Sequence, residues 1–434
     1  MGLDGAWYNE LGSDRLRDTG LLVKLTEGFK GGMAMAGVRH IFLLGLSFLL
    51  LTTSAFAAEF VTLGPRALGM GGAHVAVASD ATAIYWNPAG LSAQHRATDI
   101  RAHVGAIVKD HSGLADLWND IDDVLDGRGI KDPEFYSNTE DVDRLVDILR
   151  KLDKKGSRID INGQAGAIVS ANIKGMALAI GVTGIGYANA VPKLDLVNVN
   201  ATLPFLDPQS IANNTSKIDL TGLQTIEYSL SLAHGFINDT LHVGATVKLM
   251  DAATYFDSIR AFNTSDTNIV EEVKNNKRTS QKITGDIGVI WMPSERLRLG
   301  AVGKYLTGPS FSSASGRDIK IAPQVRAGAA FLPWRGATVA LDIDVTSNET
   351  LTPGYKERQV AVGFEQALGT KGKILSDLFT IRAGGYKNVA ESGSNFVATA
   401  GLGLGLLGLR LDVAGAYDFA KEEVGASANI AFQW

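Results

Sequence analysis

The amino-acid sequence predicts an all-β transmembrane antiparallel barrel of about fourteen strands. Three observations carry that expectation. An export signal is followed by no apolar helix, the remaining chain alternates apolar with charged or glycine residues, and the C-terminus alternates up to an aromatic residue.

Taken in chain order, Arg39 and His40 lead into the apolar run Ile41 to Leu51, and Ala55-Phe56-Ala57 stands before Ala58. A basic flank, a short apolar core and an A-x-A site describe a secretory signal peptide, expected at 33–57 with cleavage after Ala57. The apolar run is too short to cross about 30 Å of hydrocarbon. A signal normally lies close to its initiator, so translation is expected to begin at Met33 or Met35, with 1–32 an untranslated or disordered leader. No later run of eighteen apolar residues occurs, so an exported chain of this kind is periplasmic, secreted or an outer-membrane barrel.

Period-two alternation selects the barrel. Leu241, Val243, Ala245, Val247 and Leu249 share a face. Ile283, Ile287, Val289 and Trp291 oppose Thr284, Asp286 and Gly288, while Leu297, Leu299, Ala301 and Tyr305 oppose Arg298 and Lys304. Val325, Ala327, Ala329 and Phe331 oppose Gln324, Arg326 and Gly328, and Leu341, Ile343 and Val345 oppose Asp342 and Asp344. Phe379 and Ile381 oppose Thr380 and Arg382; Leu409, Leu411 and Val413 oppose Arg410 and Asp412. A soluble β-sandwich also alternates. These strands are long for a sandwich, however, and glycines and full charges recur opposite the apolar face, as lipid outside and a polar lumen inside require. Ala428, Ile430, Phe432 and Trp434 then close the chain as barrel-assembly signals do, which makes the assembly machinery a partner through Trp434. Strands are expected near 98–108, 157–172, 175–187, 217–236, 240–256, 278–292, 296–308, 320–332, 336–346, 357–368, 377–388, 394–406, 407–418 and 425–434. Asn238-Asp239 and Pro293-Ser294 fit short periplasmic turns.

Two segments break the strand rule. Within 113–155, Leu114, Leu117, Trp118, Ile121, Val124 and Leu125, then Val142, Leu145, Val146, Leu149 and Leu152, follow helical spacing with Asp-rich polar faces. Ser137 to Glu140 reads as a capping box. This acidic helical insert is expected on the extracellular side, where it can meet a protein partner. The polar, Asn-rich stretch 191–216 reads as a second long loop.

Composition removes several functions. Hydrophobic residues at 45% exclude disorder, and the absence of cysteine excludes disulfides and thiolate sites. The charge of −5 argues against direct nucleic-acid binding. No cofactor is expected. Gly403-x-Gly405-x-x-Gly408 mimics a dinucleotide fingerprint but spans two alternating strands with no helix after it. Asp120, Asp122, Asp123 and Asp126 miss the EF-hand spacing at Val124. His74, His103 and His242 are scattered, and neither a nucleophile elbow nor a zincin motif occurs, so no enzyme and no metal site is expected.

Before the first strand, Gly64-Pro65-Arg66-Ala67-Leu68-Gly69-Met70-Gly71-Gly72-Ala73 is followed by Asp80-Ala81-Thr82 and Tyr85-Trp86-Asn87-Pro88-Ala89-Gly90. This resembles the N-terminal hatch of FadL-type outer-membrane channels. The resemblance implies a fourteen-stranded barrel with 58–97 folded into its lumen, the barrel being 98–434, and movement of hydrophobic molecules across the outer membrane of a Gram-negative bacterium. The insert, Ile185 to Asp195, Pro323 to Gly328, Ala340 to Asp344, Ile381 to Gly384 and Asp412 to Tyr417 resemble the barrel family of TraF-type conjugal-transfer proteins, distinct from the thioredoxin-like TraF. Gly69, Gly71 and Gly72 permit the close backbone approach a plug needs. Asn87, Pro88 and Ala89 form either a gate or a rigid plug corner.

By alternation Lys248, Asp286, Arg298, Lys304, Arg326, Asp342, Asp344, Glu365, Arg382, Arg410 and Asp412 face the lumen, where both signs can pair. Two functions follow: a channel for hydrophobic or amphipathic small molecules, or a non-transporting scaffold of a conjugation or secretion system. A wall that opens sideways favours the first; a closed wall around a charge-filled lumen favours the second.

Overall fold

A computed structural model describes residues 59–434 apart from 95, 112, 126–133, 135–136, 155, 174–175, 196–214, 261–275, 370–377 and 421–422. The leader, the signal peptide and most of the Asn-rich loop lie outside the described residues.

Fourteen strands close into one barrel. They are β1 (Thr98–Asp110), β2 (Ile159–Ile173), β3 (Met176–Lys193), β4 (Lys217–Phe236), β5 (Leu241–Arg260), β6 (Arg278–Ser294) and β7 (Leu297–Lys304), then β8 (Gln324–Phe331), β9 (Ala337–Asp344), β10 (Gln359–Leu368), β11 (Phe379–Asn388), β12 (Phe396–Leu406), β13 (Leu409–Asp418) and β14 (Glu423–Gln433). Each pairs antiparallel with its neighbours in sequence, and β14 closes on β1 from Asp99↔Gln433 to Lys109↔Glu423. Closure leaves no edge in the hydrocarbon, which is what a β-protein in lipid requires. The expected strands are all present. Their outward residues, among them Val169, Ile180, Leu230, Val247, Ile287, Leu341, Val362, Leu402 and Val413, form an exposed apolar belt. Exposed aromatics bracket it: Phe236, Trp291, Trp334, Phe379 and Trp434 at one end, Tyr228, Phe396, Tyr417 and Phe419 at the other.

Four expectations need correction. β3 runs on to Lys193, past 187. β7 stops at Lys304 because Tyr305 (φ 52°) and Gly308 (φ 60°) turn the chain inward. Tyr305, expected on the lipid face, is therefore buried in the lumen, its amide on Asp286 Oδ1 (2.9 Å) and its hydroxyl on Glu227 Oε1 (2.8 Å). β8 starts at Gln324 rather than 320, since Ile319–Lys320 leaves the wall to pair with Ser310–Phe311 in a small inner ribbon. Finally, the β6–β7 turn is Glu295–Arg296; Pro293–Ser294 ends β6 at a register shift.

The tightest turns and the chain end gather at one end of the barrel, together with the β10–β11 connection (369–378), and the longest connections gather at the other. The β4–β5 turn takes left-handed φ at Ile237, Asn238 and Asp239, two of them residue types that tolerate it. At the long-loop end stands the insert. Numbering helices from the N-terminus, the segment before β1 holds α1 (Pro65–Gly69) and α2 (Ala83–Trp86), and the insert holds α3 (Leu114–Leu125) and α4 (Thr139–Leu152). The apolar faces of α3 and α4 bury each other through Leu114, Leu117, Val124, Leu145, Val146, Ile148, Leu149 and Leu152. The α4 cap is Asn138, whose Oδ1 accepts the Glu140 amide (3.1 Å), rather than Ser137.

Candidate functional site

Residues 59–94 fill the lumen from the long-loop mouth to the tight-turn end. Near the mouth, Glu59 Oε2 takes an ion pair from Lys109 Nζ (2.9 Å), which also holds Glu357 (3.0 Å). At the far end Gln94 accepts from Ser170 Oγ (3.1 Å), and Ser92 Oγ meets His242 Nδ1 (2.9 Å). Local sequence explains the path between. Gly64 (φ 84°) precedes Pro65, which starts α1 at the position where a missing N–H costs nothing. Gly71 (φ 66°) and Gly72 (φ 85°) end it, with the Gly72 amide on Ala67 O (2.8 Å). Asn87 caps the 3₁₀ turn Pro88–Leu91 by accepting the Ala89 amide (3.2 Å). Its Nδ2 donates to Val75 O (3.0 Å) within the hatch and to Val289 O (3.1 Å) on β6.

The wall meets this segment with glycines. A Cβ on Gly244 would strike the Pro88–Ala89 backbone, one on Gly288 the Asn87 side chain, and one on Gly300 the Val75–Ala76 backbone. Gly363 and Gly384 face Met70, Gly401 faces Gly69, and a Cβ on Gly71 of the hatch would strike the Gly385 backbone. Hatch and wall thus touch backbone to backbone. The predicted Gly69, Gly71, Asn87, Pro88 and Ala89 all lie in this contact, and Gly72 beside Gln359 and Arg326.

All eleven predicted lumen charges point inward, and two groups of them are knitted to the hatch. Near the tight-turn end, Arg66 grips Glu365 through both Nε (2.9 Å) and Nη2 (2.8 Å). Arg382 joins Glu365 (2.7 Å) to Asp412 (2.9 Å), which Arg410 also holds (2.9 Å). Arg101 bonds Asp99 (3.0 Å) and reaches Asp80 of the hatch (3.8 Å). Nearer the mouth, Lys248 pairs with Asp286 (2.8 Å) and Glu227 (3.1 Å), and Arg326 with Asp344 (2.6 Å). Asp342 instead accepts the His74 (2.7 Å) and Val75 (2.8 Å) amides. Lys304 has no carboxylate among the described residues. Its Nζ lies 3.0 Å from the Tyr85 ring centroid and 4.2 Å from that of Phe60, and Arg326 stacks 4.0 Å over Phe60. Arg298 is half-buried and likewise forms no ion pair among the described residues.

Arg66, Asp80, Asp99, Arg101 and Glu227 were not singled out from sequence. For Asp99 and Arg101 the signal existed, since Ile100, Ala102 and Val104 alternate with them. For Arg66 and Asp80 none existed, because no strand period applies inside a hatch.

His74 is set edge-on to the Trp86 ring (5.4 Å between centroids).

With the hatch seated, voids of about 20 Å³ and about 10 Å³ remain around Glu59. Larger spaces lie elsewhere. A cup of about 540 Å³ opens at the mouth between the end of the insert, the tops of β3 and β4, and the loops after β7 and β9. A groove of about 770 Å³ crosses the wall over β1–β5, lined by Gly163, Gly184, Gly186, Gly222, Ile161 and Tyr255 among others. Both spaces include Asn189 and Thr221. The ladders beneath the groove run without register shift, so it is a recess in the wall and not a hole.

The family model described as "F plasmid transfer operon, TraF, protein" matches residues 84–344. Among curated proteins no sequence match is found. The fold is similar to that of the P. putida toluene transporter TodX (TM-score 0.51, 10% identity, 87% of this chain and 99% of that one). It is also similar to the CymD monoaromatic hydrocarbon channel (0.50, 14%, 87% and 99%) and the Ralstonia pickettii toluene transporter TbuX (0.50, 12%, 85% and 97%).

Proposed function

We propose, from the premise that this chain belongs to the family described as the F plasmid transfer operon TraF protein, that it is an outer-membrane channel for small hydrophobic or amphipathic molecules. The observation that supports this reading is that the mouth cup and the lipid-side groove flank the same stretch of wall, sharing Asn189 and Thr221 as lining. A molecule entering the cup can slide over the β3–β4 wall into the groove and reach the bilayer without displacing the hatch. The barrel stands with its long-loop end outside the cell and its tight turns in the periplasm. Asn87, Pro88 and Ala89 are then a fixed plug corner rather than a gate, because every polar atom of the Asn87 side chain is bonded to hatch or wall.

Flux of a fluorescent long-chain acyl probe into liposomes carrying the folded barrel tests this. Gly186 has open space where a Cβ would stand, so Gly186→Trp should fold, fill the groove and cut saturable uptake at least tenfold. Asn87→Ala should leave the route open. Uptake that ignores Gly186→Trp but responds to Asn87→Ala would move the path into the hatch.

The filled lumen and unbroken wall favour a second reading, a non-transporting scaffold of a conjugation or secretion system that presents the 113–155 insert. Absence of uptake together with specific retention of a transfer-system protein on the insert would select it.

A further inference from the structure

The rim of the barrel is uneven. β4 and β5 each span 20 residues and β6 spans 17, whereas β7, β8 and β9 span 8 each. Since Tyr305 turns the chain inward, β7 accompanies β6 only as far as Ile287↔Gly303. Just above that pair, the Leu306 amide reaches Gly285 O (3.0 Å) and Thr307 Oγ1 reaches Ile283 O (3.0 Å). No further main-chain pairing among the described residues is made along that side, although the Ser310–Phe311 ribbon packs close to β6 and Ser312 O accepts Thr254 Oγ1 (2.8 Å), while the other side stays paired to β5 up to Thr254↔Arg278.

Strand parity fixes which groups are left over. The Ile283 and Gly285 carbonyls face the β7 side, and alternate residues repeat that direction, so the N–H and C=O of Gln281 and Thr279 face it too. These groups form a free strand edge above the apolar belt, whose upper limit here is the exposed Ile283. The edge is basic, because Lys277, Arg278 and Lys282 are all exposed.

We infer that the upper edge of β6, residues 278–283, is a docking site for an acidic extended segment of a partner protein, which adds to the wall as an extra strand. Main-chain pairing to Thr279 and Gln281 supplies the attachment, and carboxylates opposite Arg278 and Lys282 set register. Those two cations are four residues apart on one face, so the matching segment carries acidic residues at the same spacing. A second copy of this chain does not fit, because antiparallel edge pairing would oppose cations to cations. The site is independent of the cup, the groove and the hatch.

The test uses the full folded chain in detergent, its fold checked by heat-modifiable migration, and the fluorescein-labelled peptide Thr-Glu-Val-Thr-Val-Glu-Thr. The control is the same peptide with lysine for glutamate. Saturable anisotropy with the acidic peptide, and at least tenfold weaker binding of the basic one, is the expected result. Gln281→Pro deletes an N–H on the free side and spares the β5 ladder, so it should weaken binding at least tenfold. Should that variant lose its heat-modifiable shift, the double reversal Arg278→Glu with Lys282→Glu decides, and it should transfer preference to the lysine peptide. Absence of binding, equal binding of the two peptides, or binding indifferent to both variants overturns the proposal.

Discussion

Replacing Glu365 by alanine is expected to destabilise the barrel by about 3–5 kcal/mol, the range for stripping one partner from a buried ion pair. Glu365 receives two bonds from Arg66 of the hatch and one from Arg382 of β11. Without it, Arg66 keeps only Asp80 at 3.5 Å and Ser79 at 3.5 Å. The urea midpoint of the refolded barrel should fall, and trypsin should cut after Arg66 at concentrations that leave the parent chain whole. Adding Arg66→Met should restore part of the loss, since coupled partners are not additive. Additive single losses would show that the two side chains act separately.

Gly384→Val should have a still larger effect on hatch seating. A Cβ at Gly384 would lie 2.5 Å from the Met70 carbonyl carbon and 2.7 Å from both the Gly71 nitrogen and the Val362 oxygen. All three are backbone atoms, so no rotamer relieves the clash, and either hatch or strand must move. The expected result is a chain that fails the heat-modifiable shift, or a barrel whose hatch is cleaved by protease while the wall survives. Gly163→Val is the matched control, because a Cβ there meets nothing within 4 Å. Equal behaviour of the two variants would remove the backbone contact from any account of how the hatch is held.

The wall was legible in the sequence because lipid and lumen impose opposite demands on alternate residues. That rule gave all fourteen strands. It failed where backbone conformation rather than side-chain polarity decided. Tyr305 continues the outward alternation of Leu297 and Leu299, yet its positive φ swings it inside, and nothing in its residue type announces that. Inward glycines such as Gly288 and Gly384 were visible as polar-face residues, but their reason, a hatch backbone lying against each, is a long-range fact. The groove was illegible for the converse reason: Gly163, Gly184 and Gly186 fall on the lipid face, where alternation expects bulk. The insert showed its helices through spacing, while its cap at Asn138 lay one residue from the expected box.

The hatch enters the lumen near Lys109 and Glu357 at the mouth and leaves it at Thr98, whose amide and carbonyl pair with Trp434 at the opposite rim. The polypeptide therefore gets from one rim of its own barrel to the other before the wall begins. A reporter fused ahead of Glu59 would emerge among the long loops, and one fused after Trp434 among the tight turns. The two would be displayed on opposite faces of one bilayer, although the wall alone, with its even number of strands, starts and finishes on the same face.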